Sequence, residues 1–197
     1  MFTGIIESMG TLVNAQAEQE NLVVTIHAPL AHELHVDQSV SHNGVCLTVT
    51  EINGDEYKVC AIAETLRRSN LGRLKRADLI NLERCMKADG RFDGHIVQGH
   101  VDDVASVTNF SDESGSYLYH FRLNDPNQQK LLVEKGSVCV NGVSLTVVDC
   151  SNDMFSVAII PYTFEHTNFK NLQPGHLVNL EFDIVGKYIR KMLGKDA

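Results

Sequence analysis

The stretch "SVSHNGVCLTV" at residues 39–49 returns almost unchanged as "SVCVNGVSLTV" at residues 137–147. The two copies differ at three of eleven positions, and one of these differences replaces Cys46 by Ser144. Both copies place Asn-Gly between runs rich in β-branched residues, which is the strongest short signal for a β-hairpin. The stretch therefore predicts the same strand pair twice in one chain.

The repeat extends over most of the sequence. Three further pairs of segments match at offsets of 98 or 95 residues: "ETLRRSNL" (64–71) with "YTFEHTNF" (162–169), "INLE" (80–83) with "VNLE" (178–181), and "FTGIIESMGTL" (2–12) with "VQGHVDDVASV" (97–107). A period this long is typical of a duplicated domain and too long for a solenoid repeat. We therefore place the two copies at residues 1–94 and 95–182.

Each copy has the pattern of a small antiparallel barrel. A second Asn-Gly at residues 53–54, replaced by Ser-Asn-Asp at 151–153, adds a third strand to the hairpin. One more strand near the start of each copy, and another at "INLE" or "VNLE", bring the number to five or six. Short strands joined by tight turns predict an all-β chain of two tandem homologous Greek-key barrels. We expect "ETLRRSNL" to form a short helix or loop across one barrel end.

The end of the chain has a helical pattern instead. In "DIVGKYIRKMLGK" the apolar residues recur on one helical face, with Asp183 placed to cap the start and Gly194 to end the helix. Residues 183–197 are therefore predicted to form an amphipathic C-terminal α-helix. Its apolar face suits packing on the chain's own barrel and oligomerisation equally well.

Composition excludes several classes of function. A formal net charge of −8 without a basic run disfavours nucleic-acid binding. No segment approaches the roughly 20 apolar residues that span a bilayer, and the N-terminus lacks a signal-peptide pattern, so we expect a cytoplasmic protein. The five cysteines contain no CxxC pair, which indicates neither a zinc site nor a disulfide framework. The sequence predicts no metal ion.

The repeated strand presents a short polar pair on one face. Alternate residues of a strand share a face, so Val45, Leu47 and Val49 would fill the barrel while Cys46 and Thr48 point outward. The second copy repeats this alternation with Ser and Thr at the outward positions. Long charged residues are common on solvated strand faces, so the short pair favours a ligand pocket on each barrel. A solvated face that happens to be short and polar is the alternative.

Five segments in order make the chain similar to the riboflavin synthase family of the alpha type: "MFTGIIE", "NGVCLTVTEING", "ETLRRSNLG", "GHIVQGHVD" and "NGVSLTV". In that family, two molecules of 6,7-dimethyl-8-ribityllumazine exchange a four-carbon unit and give riboflavin and 5-amino-6-ribitylamino-pyrimidinedione. The resemblance implies a transferase without redox cofactor or metal. It also implies six strands per barrel and a homotrimer gathered by the C-terminal helix. Lumazine synthase is a further candidate partner.

The resemblance also implies two similar pockets for two identical substrates. The first pocket would use Gly4, Ile5, Ile6, Cys46, Leu47, Thr48, Cys60, Ala61, Ile62, Ala63, Glu64 and Thr65. The second would use Gly99, His100, Val101, Ser144, Leu145, Thr146, Ile159, Ile160, Pro161, Tyr162, Thr163 and Phe164, with Lys135 from a neighbouring site. Each active site would lie between the first barrel of one subunit and the second barrel of another. Glu64, Thr65 and Thr163 are suited to the ribityl hydroxyls.

The reaction sets the requirements for catalysis. The C7 methyl group of lumazine must lose a proton, so the site needs donors at the ring carbonyls and a base or water near the methyl. The candidate catalytic groups are Ser39, Cys46, Thr48, His100, Ser144 and Thr146. His100 has Ile5 as its counterpart and breaks the symmetry most strongly, which makes it our choice for proton transfer. Cys46 would add to lumazine as a nucleophile or line the pocket, and His95 would pack or support His100.

Two other readings remain open. Antenna proteins of luminous bacteria share this architecture and bind lumazine or flavin without converting it, although the retained strand pair and His100 favour the enzyme. A flavin reductase of related barrel type would need a nicotinamide site, which the sequence does not present. The chain departs from the family at Asn141, where Asp is common, and at Tyr162, where His is common.

Overall fold

The computed structural model describes residues 1–194, which form two closed six-stranded antiparallel barrels and a C-terminal helix. The first barrel contains β1 (Ser8–Glu18), β2 (Asn21–His27), β3 (Ser39–His42), β4 (Val45–Asn53), β5 (Glu56–Ala61) and β6 (Leu79–Arg84). The second contains β7 (Asp103–Asp112), β8 (Tyr117–Leu123), β9 (Ser137–Val140), β10 (Val143–Ser151), β11 (Met154–Ile159) and β12 (Leu177–Phe182). The helices are α1 (Ala63–Arg68), α2 (Pro161–His166) and α3 (Ile184–Met192).

The two barrels have the same topology. The strand order around the first is β1-β2-β5-β4-β3-β6, and the order around the second is β7-β8-β11-β10-β9-β12. The predicted all-β fold of two tandem homologous six-stranded Greek-key barrels with a C-terminal α-helix is confirmed. The last three residues of the segment predicted at 183–197 lie outside the described residues. Within residues 1–194, no helix is long and apolar enough to cross a membrane.

The repeated Asn-Gly pairs close equivalent hairpins. Asn43 and Gly44 have φ of 48° and 81°, and their counterparts Asn141 and Gly142 have φ of 47° and 82°. Two successive positive φ angles fit a two-residue hairpin turn, which explains the amino acids found there. The other predicted turn lies one residue further along the chain, since Asn53 pairs with Glu56 in the ladder and leaves Gly54 and Asp55 in the turn.

Alternation along the strands fills each barrel with apolar side chains. Val45, Leu47 and Val49 are buried in the first core, and the equivalent residues of β10 are buried in the second. Cys46 is half-buried and Thr48 is exposed on the outer face of β4, as predicted. Ser144 and Thr146 have the same environments on β10. The outer faces of β4 and β10 therefore present the short polar pairs.

Six buried asparagines join the barrels across a pseudo-twofold axis: Asn43, Asn70, Asn81, Asn141, Asn168 and Asn179. The side-chain amide of Asn81 donates to the carbonyl of Asn141 at 2.9 Å. The equivalent amide of Asn179 donates to the carbonyl of Asn43 at 2.8 Å. Asn141, whose departure from the family pattern stood out in the sequence, is therefore part of the contact between the barrels.

The C-terminal helix begins and ends where the sequence predicts. The Asp183 side chain accepts a hydrogen bond from the amide of Val185, and Gly194 has a φ of 65° just after the helix. The apolar stripe faces away from the chain, since Tyr188 is 64% and Met192 is 85% exposed. The sequence left two roles open for this stripe, packing on the chain's own barrel and oligomerisation. The described residues do not show the stripe packed on its own barrel.

One polar pair lies in the core of the first barrel alone. Nε2 of His42 and the hydroxyl of Tyr57 are 2.9 Å apart, and both side chains are buried. The equivalent positions of the second barrel hold Val140 and Phe155. Burial lowers the pKa of His42 to about 4 from its ordinary value of 6.5. The histidine is therefore neutral in the folded protein near neutral pH.

We predict that this pair makes the fold sensitive to acid. Because the unfolded chain binds a proton that folded His42 excludes, stability is lost as the pH falls from 6.5 towards 4. Between pH 7 and pH 5 the loss from this residue is about 2 kcal/mol. The double substitution His42→Val with Tyr57→Phe, which copies the second barrel, should remove that contribution in urea unfolding at both pH values. The same pH dependence in both proteins would contradict the assignment.

Candidate functional site

Each barrel is preceded by a leader segment, residues 1–7 for the first and 95–102 for the second. The two leaders pair with each other between the barrels. The amide of Phe2 donates to the carbonyl of Val97 at 2.7 Å, and the amide of Val97 donates back at 3.2 Å. Both side chains are fully buried against Cys139. The leaders therefore run in opposite directions from a shared centre.

Each leader then crosses to the other barrel. The carbonyl of Gly4 accepts from the amide of Ser144 at 2.8 Å, and the carbonyl of Gly99 accepts from the amide of Cys46 at 2.9 Å. Both glycines have φ near 80°, and a Cβ at Gly99 would lie 2.5 Å from the Cβ of Cys46. Only glycine gives both this conformation and this close approach.

The crossing corrects the predicted grouping of the pocket residues. The prediction grouped Gly4 with Cys46 and Gly99 with Ser144, but the structure pairs Gly4 with Ser144 and Gly99 with Cys46. We call the outer face of β4, α1 and the second leader the first half-site. The outer face of β10, α2 and the first leader form the second half-site. The prediction was wrong because equivalent segments have equivalent sequences, so the repeat itself does not indicate which barrel a leader contacts.

A buried carboxylate holds each leader in place. Glu181 on β12 accepts from the backbone amides of Gln98, Gly99 and His100 at 2.7 to 2.9 Å. Glu83 on β6 holds the first leader similarly, because it accepts from the amides of Thr3 and Gly4 and from the Thr3 hydroxyl. Burial raises the pKa of both carboxyl groups, and the hydrogen bonds from the leader amides oppose that rise. The sequence predicts strands at "INLE" and "VNLE", but it does not indicate this role of their glutamates.

The first half-site encloses a cavity of about 590 Å³. Its lining includes six predicted site residues: Cys46, Glu64, Thr65, Gly99, His100 and Val101. It also includes residues that the sequence analysis did not select: Val45, Arg68, Ser69, Asp102, Asp125, Gln128, Leu131, Phe182 and Arg190. Most of these come from the second barrel and α3, which are distant in sequence, so no local signal pointed to them.

Cys46 is a neutral thiol at the wall of this cavity. Burial raises its pKa, and a hydrogen bond with the Ser39 side chain only partly opposes the rise. Ser39 lies opposite Thr48 in the β3–β4 ladder, which brings three predicted polar groups onto one outer face. A neutral thiol is a weak nucleophile, so the geometry favours a lining role for Cys46 over covalent attack.

The second half-site contains a histidine in contact with Ser144. Nδ1 of His95 lies 2.7 Å from the Ser144 hydroxyl, and the histidine is buried. Burial lowers its pKa, so the imidazole is neutral and can exchange a proton with the hydroxyl. His95 was expected to pack or to support His100, and the structure shows it packed against Ser144.

The two short helices differ in the groups that they carry. On α1, Glu64 makes ion pairs with Arg67 at 2.7 Å and with Arg68 at 3.1 Å. On α2, the equivalent of the Glu64–Arg68 pair is a stack of Tyr162 on His166, with ring centroids 4.0 Å apart. The half-sites therefore share a backbone and differ in charge at the helix.

The remaining predicted residues lie around the two half-sites. Phe164 stacks on Tyr117 and fixes α2 to the second barrel. Lys135 is exposed in the turn before β9, where its amide donates to Val147, three residues along β10 from Ser144. The buried residues are Leu47, Ala61, Leu145 and Ile159. The half-buried residues are Ile6, Cys60, Ala63, Thr65 and Thr163, and the exposed residues are Ile5, Ile62, Ile160, Pro161 and Tyr162.

The exposed apolar residues at the rims of both half-sites leave each site open on one side. Ile62 and Ile160, the equivalent residues before α1 and α2, are both more than half exposed. Across residues 1–194, no group of three or more His, Cys, Asp or Glu is arranged to hold a metal ion. The arrangement can thus bind a flat polar ligand by backbone and short side chains, and can move protons through histidine.

Solved structures confirm the tandem-barrel architecture. The structure of LumP complexed with 6,7-dimethyl-8-(1'-D-ribityl) lumazine superposes with a TM-score of 0.84 over 92% of this chain and 98% of that chain. The structure of LumP complexed with riboflavin gives a TM-score of 0.86 over 92% of this chain and 99% of that one. Both are 22% identical in sequence, so this likeness concerns the fold alone.

Sequence relatives are more specific. The lumazine binding domain family matches residues 3–85 and 98–183, one match for each repeat. The riboflavin synthase of Actinobacillus pleuropneumoniae is 42% identical over 99% of this chain and 91% of its own length. Those of Bacillus subtilis (strain 168) and Saccharomyces cerevisiae are 38% and 37% identical over 99% and 98% of this chain, and 91% and 86% of their own lengths. Since identity at this level covers nearly the whole chain and both repeats, the chain belongs to the riboflavin synthase family.

Proposed function

We propose that this chain is a riboflavin synthase that transfers a four-carbon unit between two molecules of 6,7-dimethyl-8-ribityllumazine. The observation that carries the proposal is the pair of half-sites, which share their backbone and differ in their reacting groups. Two identical substrates need two similar surfaces, whereas their opposite roles as donor and acceptor need different chemistry. The alternative, an antenna-type binding protein, has support only from structures 22% identical to this chain.

In each half-site, the ligand ring would lie against the outer face of the repeated strand. Cys46 and Thr48 are short enough for a flat ring to approach the backbone of β4 closely, and Ser144 and Thr146 give β10 the same property. Polar groups at α1 and α2, including Glu64, are suited to the ribityl hydroxyls. This arrangement would bind both substrates in the same way.

The difference between the half-sites would assign the roles of the two substrates. We propose His100 as the group that moves a proton at the C7 methyl of lumazine, since it lines the first cavity beside Cys46. In the second half-site, neutral His95 would hold and polarise the Ser144 hydroxyl. The products contain all the atoms of the two substrates, so the transfer consumes no oxidant, reductant or metal ion.

Two rings must meet for carbon transfer, and this requires assembly. We propose a cytoplasmic homotrimer in which the first half-site of one subunit faces the second half-site of another. The exposed stripe of α3 and the exposed rims at Ile62 and Ile160 support this, because each leaves apolar surface for a neighbour to cover. Holding two rings in register could contribute up to about 7 to 11 kcal/mol to the rate. Association with lumazine synthase stays a prediction from the resemblance.

The purified chain should convert lumazine into riboflavin at a ratio of two to one without added cofactor. The measurement is riboflavin fluorescence together with chromatography of both products, in the presence and absence of a chelator. Binding of lumazine without riboflavin formation would favour the antenna alternative. Loss of activity with chelator and recovery with a divalent ion would contradict a metal-free reaction.

We predict that His100→Ala reduces kcat by about 100-fold and changes KM less than about threefold. The residue lines only one half-site, and its backbone amide, which binds Glu181, is kept in the variant. The matched control is His32→Ala, which removes an exposed histidine from the segment between β2 and β3. Unchanged kcat in His100→Ala would remove this residue from proton transfer.

The role of the apolar stripe of α3 in subunit assembly can be tested without removing the helix. Tyr188→Ser with Met192→Ser replaces two exposed apolar residues one turn apart, and we expect it to dissociate the trimer. Light scattering should give the monomer mass, and turnover per chain should fall as the protein is diluted. Lys191→Ser, on the same helix, is the control and should stay trimeric. A trimer with full activity in the double variant would show that the stripe does not hold the subunits.

A further inference from the structure

An ion pair ties α3 to the second leader. Nζ of Lys187 lies 2.9 Å from Oδ1 and 2.7 Å from Oδ2 of Asp102, so both carboxylate oxygens are engaged. The side chains are only 22% and 25% exposed, which makes this pair less screened than a surface contact. Oδ2 of Asp102 also accepts from the amide of Phe182 at 2.9 Å. One carboxylate therefore joins the helix, the leader and β12.

The position of this pair links the helix to His100. Asp102 follows His100 by two residues, and its own amide donates to the carbonyl of Leu180. The amides just before it are held by Glu181, the next residue of the same strand. The segment that carries His100 is thus fixed on one side by Glu181 and on the other by the Lys187–Asp102 pair.

The first repeat provides an internal comparison. The counterpart of Asp102 is Glu7, which pairs with Arg84 at 2.7 Å. Arg84 is the last residue of β6 and also pairs with Glu33, so both of these ion pairs lie within the first barrel. In the second leader, the equivalent carboxylate of Asp102 instead pairs with Lys187 of α3. The ion pair of Glu7 is therefore formed within the first barrel, whereas the equivalent ion pair of Asp102 depends on the C-terminal helix.

A second residue of α3 reaches the same region. Arg190, almost one turn after Lys187, lines the 590 Å³ cavity together with Cys46 and His100. The helix therefore forms part of the wall of the first half-site in its own chain, while its apolar stripe points outward.

We propose that Lys187 is a positioning residue, which makes the placement of His100 depend on the docking of α3. Docking of the helix would then have an effect on turnover that is separate from its role in assembly. This inference rests on the proposed function in one respect, because it takes His100 to act in catalysis. The placement of the leader itself can be measured without any reaction.

The kinetic test compares Lys187→Met, Lys187→Arg and Lys191→Met in the full chain. We expect Lys187→Met to lower kcat about tenfold or more, with KM within about threefold of wild type and an unchanged mass in light scattering. Lys187→Arg should restore kcat to within about threefold, because a guanidinium can bind both oxygens of Asp102. Lys191→Met removes the same charge from the exposed side of α3 and should behave as wild type.

Hydrogen exchange supplies the readout that does not need activity. Backbone amides at residues 98–102 should exchange about tenfold faster in Lys187→Met, whereas the first leader should be unchanged. Wild-type kcat together with wild-type exchange in Lys187→Met would overturn the proposal. So would a loss of kcat that disappears fully at high protein concentration, since Lys187 would then act through assembly alone. If wild-type protein forms no riboflavin while exchange responds as expected, the proposed function fails and the positioning role stands.

Discussion

Both half-sites depend on a carboxylate buried beneath each leader. A buried carboxylate is costly unless hydrogen bonds satisfy it, and Glu83 and Glu181 find their donors in the leader backbone. The same bonds satisfy amides that would otherwise be buried without partners. Once these amides point at the glutamate, the glycine carbonyls of the leaders point outward to Ser144 and Cys46. The anchoring of the leader and the shape of the ligand face are therefore one arrangement.

Symmetry is strictest where the barrels meet and weakest where a ligand would bind. The interface repeats each asparagine in both halves, and a Cβ at Gly44 would lie 2.9 Å from the amide of Gly142. Such close packing leaves no room for the halves to diverge there. On the outer faces, Cys46 replaces Ser144, His100 replaces Ile5, and an ion pair on α1 replaces an aromatic stack on α2. The chain thus combines a conserved frame with two chemically different surfaces.

Sequence reasoning succeeded where structure is decided locally. The two repeated Asn-Gly turns, the inward and outward faces of β4, and the capped C-terminal helix all follow from conformational preferences and periodicity. It failed where the contact joins residues far apart in the chain. Nothing local shows that Gly4 crosses to Ser144, that His95 reaches the same serine, or that Lys187 returns to Asp102. Six of the predicted site residues line the cavity of the first half-site, whereas the residues of the second barrel and α3 that line it with them were not predicted.

The crossed leaders give this chain the geometry of a dimer fused end to end. In a dimer of two identical barrels that exchanged their N-terminal segments, a substitution would appear in both sites at once. When the two barrels are joined through residues 85–95 in one chain, each site is encoded separately. A substitution in one site then no longer appears in the other. A mutation can then alter the donor surface while leaving the acceptor surface intact. The leader that follows this joint supplies His95 to the second half-site and His100 to the first, so the joint that allows asymmetry has given each site its own histidine.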